Sequence, residues 1–170
     1  MTDANTQSMI QAVKDAIMTE IKGQQLYSHA ASTTEDADAK AMFTALARDE
    51  DEHVALLQAQ YQSLLANGKI DLDKVKPAEV DHGAGHVIDD RFRKSIKRGT
   101  FEMAVIGIGC DLENKAISYY QSEAAKTEDA DLKQLFTWLA EWEVGHLEQL
   151  VELEKMLQDE YWADQGFSPM

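Results

Sequence analysis

The sequence predicts an all-α fold: a four-helix bundle made of two pseudo-symmetric helical hairpins joined by a long crossover connection. Three observations point there. Apolar residues recur at steps of three and four rather than two, which is the spacing of one helix face. Helix breakers are scarce, with two prolines and nine glycines in 170 residues. The chain also repeats itself: shifted by 93 positions, residues 31–53 lie over 124–146 with thirteen identities in 23. These include Thr34/Thr127, Glu35/Glu128, Asp36/Asp129, Phe43/Phe136, Leu46/Leu139, Glu50/Glu143 and His53/His146. Upstream, Glu20/Glu113 and Tyr27/Tyr120 match at the same offset.

The first helix is expected over residues 6–32, with Val13, Ile17, Tyr27 and Ala31 along one stripe. Thr33-Thr34-Glu35-Asp36 then supplies a turn with capping chemistry. A second helix runs over 37–66 through Phe43, Leu46, Leu57 and Leu64, and closes at Asn67-Gly68, a suitable left-handed cap. Residues 67–99 form the crossover, punctuated by Pro77, Gly83, Gly85 and Gly99, and only 87–97 reads as a short helix. The third helix spans 100–125, with Glu102 favourable against the dipole of its first turn. The fourth spans 129–160 through Phe136, Leu139, Leu150, Leu153 and Leu157, and residues 161–170 read as an aromatic tail docking on the bundle or a partner. Helices of this length reach roughly 40–48 Å at 1.5 Å per residue. The tight joints make antiparallel hairpins, whereas a crossover of some 30 residues can travel the whole bundle and start the next helix from the opposite end. That is the ferritin-like topology rather than the simple up-down one, and residues 1–170 are expected to form one domain.

Composition excludes several classes. Sixteen Lys and Arg against 31 Asp and Glu give a formal charge of −15, which argues against nucleic acid or an anionic membrane surface as partner. The longest apolar stretch, 103–110, is far too short to cross a bilayer. Met1 to Met9 carry no basic segment leading into an apolar run, so no signal peptide is expected. The single cysteine, Cys110, allows no internal disulfide and no Cys-rich metal knuckle, and a reducing, cytoplasmic setting is the simplest expectation.

The matched polar residues fall where apolar residues belong. The second helix reads Phe43, Leu46, Glu50, His53, Leu57, and the fourth reads Phe136, Leu139, Glu143, His146, Leu150. The first carries Val13, Ile17, Glu20, Tyr27 and the third Ile106, Glu113, Tyr120 in the same stripes. Four carboxylates and two imidazoles therefore aim at one interior. Burying unpaired charges there is prohibitively costly, so either the carboxyls protonate or cations sit between them. Two divalent ions would balance four carboxylates. A carboxylate-rich set with one imidazole per ion suits iron or manganese better than zinc, copper or calcium, an arrangement known from di-iron and di-manganese helix bundles.

In the combination Glu20, Glu50-x-x-His53, Glu113, Glu143-x-x-His146, the chain resembles the rubrerythrin branch of the ferritin-like superfamily over nearly its whole length. The resemblance implies two iron ions, with Glu20 and His53 on one, Glu113 and His146 on the other, and Glu50 and Glu143 bridging. It also implies that Tyr27 and Tyr120 hydrogen-bond ligand carboxylates of the facing repeat. The implied activity is reduction of hydrogen peroxide or dioxygen, with electrons from a separate donor such as a rubredoxin-like protein, in a homodimer. Two departures stand out. A rubredoxin module needs four cysteines and this chain has one; and Ala116 occupies the place, three after Glu113, where rubrerythrins carry a further Glu. Ferroxidase-like iron handling without turnover is therefore the alternative, and a metal-free structural bundle a third class.

Simpler readings suffice elsewhere. Glu79-x-x-His82 repeats the spacing but lies in the punctuated crossover, and with His86 is read as solvated. His29 falls off the ligand stripe, Cys110 is read as packing, and Trp138, Trp142 and Trp162 as core or interface aromatics.

Overall fold

The computed structural model describes residues 4–74 and 100–164. The expected short helix over 87–97, together with Glu79, His82 and His86, lies outside the described residues, as do residues 165–170. Helix α1 spans Ala4–Thr33, α2 Ala37–Asn67, α3 Thr100–Lys126 and α4 Ala130–Asp164, with a 3-10 turn at Leu72–Lys74. No strand occurs among the described residues.

The two hairpin turns are built alike because their sequences are alike. Asp36 accepts from the backbone N–H groups of Asp38 and Ala39 at 3.0 and 2.9 Å, and Asp129 accepts from Leu132 at 2.9 Å. Thr34 and Thr127 hydroxyls accept from the N–H of Asp36 and Asp129 at 3.2 and 3.1 Å. Each pair satisfies donors that a helix start otherwise leaves bare. At the far end of α2, Gly68 adopts φ 67°, ψ 19° and returns its N–H to the Leu64 carbonyl, a conformation glycine takes without steric cost. Beyond it Gln60 clamps Asp71, donating to its carbonyl at 3.0 Å and accepting from its N–H at 2.8 Å.

Helices α1 and α3 run antiparallel. Thr34 donates to Glu102 at 2.5 Å at one end, Tyr119 donates to the Ala12 carbonyl at 2.9 Å at the other, and Tyr27 bonds Glu113 between them. Since Gly68 lies against Thr6, the chain leaves α2 at one end of the bundle and re-enters at the other, beside Thr34. That is the long crossover of the ferritin-like topology.

The core is two apolar blocks with a polar layer between them. One block gathers Val13, Leu57, Leu64, Tyr120, Phe136 and Leu139; the other gathers Tyr27, Phe43, Leu46, Ile106, Leu150 and Leu157. Repeat partners such as Phe43 and Phe136 fall in opposite blocks, as a two-fold axis through the middle requires. Along every helix the Glu and His positions fall between stretches assigned to the two blocks. The fourth helix outruns its expected end at 160: Tyr161-Trp-Ala-Asp164 continues the helix, because no breaker precedes Gly166. Trp162 is exposed there.

Candidate metal centre

Helix α1 brings Glu20 to the polar layer, α2 brings Glu50 and His53, α3 brings Glu113, and α4 brings Glu143 and His146. None is more than 6% exposed. On α2 and α4 the three-residue step from Glu to His puts both side chains on one face, and the apolar residues a turn away on either side hold that face inward.

The six form two interlocked groups, Glu20/Glu50/His53/Glu143 and Glu50/Glu113/Glu143/His146, each with its ligand atoms within 4.8 Å of one another. Glu50 and Glu143 belong to both. His53 turns Nδ1 inward, 3.1 Å from Glu20 Oε2, 3.2 Å from Glu143 Oε1 and 3.7 Å from Glu50 Oε2. His146 likewise turns Nδ1 inward, 3.0 Å from Glu143 Oε2 and 3.4 Å from Glu50 Oε1. The two rings stand 5.6 Å apart.

Without a cation this layer is electrostatically strained. Burial, then the charge of Glu143, pushes the Glu20 carboxyl well above its ordinary range, and burial with Glu143 and Glu50 does the same to Glu113. At Glu143 and Glu50 burial also acts upward, but the facing imidazoles outweigh it and hold both carboxyls low. Burial would lower His53 and His146, yet the surrounding carboxylates win and raise both. The metal-free layer is thus a proton-sharing cluster.

The donor set fits two transition-metal ions by a structural test as well. Glu50 Oε1 and Glu143 Oε1 are fully buried and accept no aligned hydrogen bond, facing an imidazole nitrogen at 3.4 and 3.2 Å instead, a condition that costs a buried oxygen free energy unless something else fills it. These are the two carboxylates common to both groups. Four carboxylates with two imidazoles is a donor set for iron or manganese.

The tyrosines lie across the repeat boundary. Tyr27 donates to Glu113 Oε1 and Tyr120 to Glu20 Oε1, and among the described residues no tyrosine hydrogen-bonds Glu50 or Glu143. Burial and Glu113 push the Tyr27 hydroxyl up, so it stays a donor.

The rubrerythrin family model matches residues 11–154. The chain belongs to the rubrerythrin family. The match takes in all six Glu and His residues and both tyrosines, and it accords with the ferritin-like bundle of the structure. Comparison with curated proteins and with solved structures returns no match.

Three features of this rubrerythrin-family centre escape a reading of the sequence. Gly23 faces Glu50: a Cβ there would lie 3.0 Å from its Cδ. Asp49 Oδ2 stands 3.8 Å from His146 Nε2. Trp142, read above as a core or interface aromatic, stacks on His53 at 4.8 Å between centroids and 11° between planes. The available signal was register, since Asp49 and Trp142 each precede a matched Glu. A small cavity of about 10 Å³ lies among Gly23, Ala116, Glu50, Glu113 and Glu143, room for about one water. His29 is exposed, and Cys110 is half-buried against the block containing Ile106, where burial pushes its thiol up.

Proposed function

We propose that this chain is a di-iron oxidoreductase that reduces hydrogen peroxide or dioxygen, drawing electrons from a separate donor such as a rubredoxin-like protein. The observation that carries the reading is the pair of interlocked buried groups sharing Glu50 and Glu143. In this reading Glu20 and His53 would hold one ion and Glu113 and His146 the other, with Glu50 and Glu143 shared between them. Iron, when bound there, supplies electrons and a template for a small oxygen-bearing substrate; manganese fits the same donors.

The chain's own residues do the rest. Tyr27 and Tyr120 fix the outer carboxylates Glu113 and Glu20 by hydrogen bonds. Glu50 and Glu143, common to both groups, would set the spacing of the two ions. The flanking apolar blocks keep bulk water out, which strengthens every charge interaction inside. Reduction of peroxide to two waters consumes two electrons and two protons; the one cysteine in these 170 residues cannot make a four-cysteine iron site, so in this reading a separate donor supplies the electrons. A cytoplasmic homodimer belongs to the same reading. Cys110 suits a reducing compartment, and the exposed Ile108, Val144 and Val151 on the α3–α4 hairpin give a second copy an apolar surface to cover. No described helix is long and apolar enough to cross a membrane.

The test is anaerobic loading with ferrous iron followed by stopped-flow mixing with hydrogen peroxide and, separately, dioxygen. Two irons per chain and faster oxidation by peroxide, one peroxide per centre, support the reading. Faster oxidation by dioxygen with iron then leaving the site replaces it with iron handling. No uptake of iron or manganese removes the centre altogether.

A further inference from the structure

The repeat that builds the centre twice is imperfect, and one of its mismatched pairs stands against the two histidines. Positions 49 and 142 correspond at the 93-residue offset, each one residue before a shared carboxylate, and they carry Asp49 and Trp142. Because the hairpins face each other, each of these side chains reaches the histidine of the other repeat. Asp49 places Oδ2 3.8 Å from the outer nitrogen of His146 while its Oδ1 takes the Arg48 guanidinium at 3.2 Å. Trp142 lies flat on the ring of His53. The ion pairs of His53 with described residues run through Nδ1, its inner nitrogen.

These two neighbours act differently on a ligand imidazole. A carboxylate this close to the outer nitrogen favours the proton there by its charge, which leaves the inner nitrogen bare for a metal and makes the ring more basic. An indole pins the ring by stacking but offers no acceptor, so it leaves the tautomer open. We propose that the two halves of the centre are inequivalent by construction: the Glu113/His146 half, backed by Asp49, takes its ion first and holds it more tightly than the Glu20/His53 half, which Trp142 covers. Asp49 is a positioning residue in this scheme, acting only through His146. The inference rests on the two-ion reading proposed above.

The experiment titrates zinc(II), a redox-inert divalent ion, into the full chain labelled with nitrogen-15 at histidine. It follows each imidazole by its ring nitrogen shifts. His53 identifies itself, because the Trp142 ring current moves its ring protons upfield and Trp142→Leu abolishes that shift. The first equivalent should move the Nδ1 resonance of His146 and the second that of His53. Asp49→Asn should weaken the first ion about ten- to a hundredfold and spread it over both histidines. Asp49→Glu should restore the order, which a merely structural role would not do. Both histidines responding together from the first addition, or His53 responding first, overturns the inequivalence while leaving the two-ion centre standing. No response at either histidine overturns the centre itself, and the inequivalence with it.

Discussion

Gly23 and Gly107 show how much one methyl group can matter at one helix position and how little at another. A Cβ on Gly23 would meet Glu50 Cδ at 3.0 Å and Oε1 at 3.1 Å, whereas a Cβ on Gly107 would meet nothing within 4 Å. Gly23→Ala is therefore expected to destabilise the metal-free protein by about 1–3 kcal/mol through overpacking. It should also weaken uptake of both ions, because Glu50 serves both groups. Gly107→Ala should instead stabilise by about 0.5–1 kcal/mol, the helix-interior cost of glycine. Thermal melts with and without metal, beside metal analysis after gel filtration, separate the two effects. Equal metal content in Gly23→Ala and the parent would show that Glu50 does not need its present place. Glu143 is the other shared carboxylate, and Glu143→Ala should lose at least one ion; two irons retained tightly per chain would sink the bridging assignment.

At the scale of an element, capping and repetition explain why so much of the fold was legible. Thr34-Glu35-Asp36 and Thr127-Glu128-Asp129 are local signals for local structure, and the hydroxyl and carboxylate caps form as their spacing requires. Asp36→Ala removes the one carboxylate oxygen that accepts from two backbone N–H groups and should cost about 1 kcal/mol. In a domain of this size that is about 2–4 °C in Tm, readable by calorimetry of the metal-free protein. An unchanged Tm would mean that water replaces the cap without cost. The matched Glu and His positions were legible for a related reason: a charge in an apolar stripe contradicts the stripe, and the contradiction occurs in both copies. Contacts across the repeat boundary were not legible to the same degree. Trp142 on His53 and Asp49 near His146 depend on how two hairpins dock, and nothing local to either residue specifies its partner. Glu102 was legible only as a residue of the first helical turn, yet it is buried and accepts from Thr34, a bond with no counterpart among the matched pairs. Helix α4 runs past 160 because residues 161–164 hold no breaker, the first beyond them being Gly166.

The molecule as a whole encloses an ionisable layer between two apolar blocks, and its stability must answer to pH accordingly. In the metal-free state His53, His146, Glu20 and Glu113 all have raised folded-state values. Unfolded, these groups release their protons near 6.5 for histidine and about 4.3 for glutamate. For a raised group the stabilisation is fully present below the unfolded value and is lost as pH rises through the folded one. Glu50 and Glu143 are shifted the other way, so their contribution disappears only in acid and does not affect the neutral range. From about pH 6 to pH 8 the unfolded chain binds fewer protons than the folded one, and stability must fall as pH rises. Self-repulsion acts in the same direction, since 31 acidic groups already exceed 16 basic ones. Metal binding reverses the balance because each ligand must shed its proton to bind, so the stabilisation by metal grows over the same interval. The expected result is a metal-free Tm that drops between about pH 6 and pH 8, and a drop that shrinks or changes sign with excess ferrous or manganous ion under anaerobic conditions. A metal-free Tm that rises over that interval would mean the layer does not hold its protons in the folded state, and a drop unaffected by either ion would mean the layer is not where the ions bind.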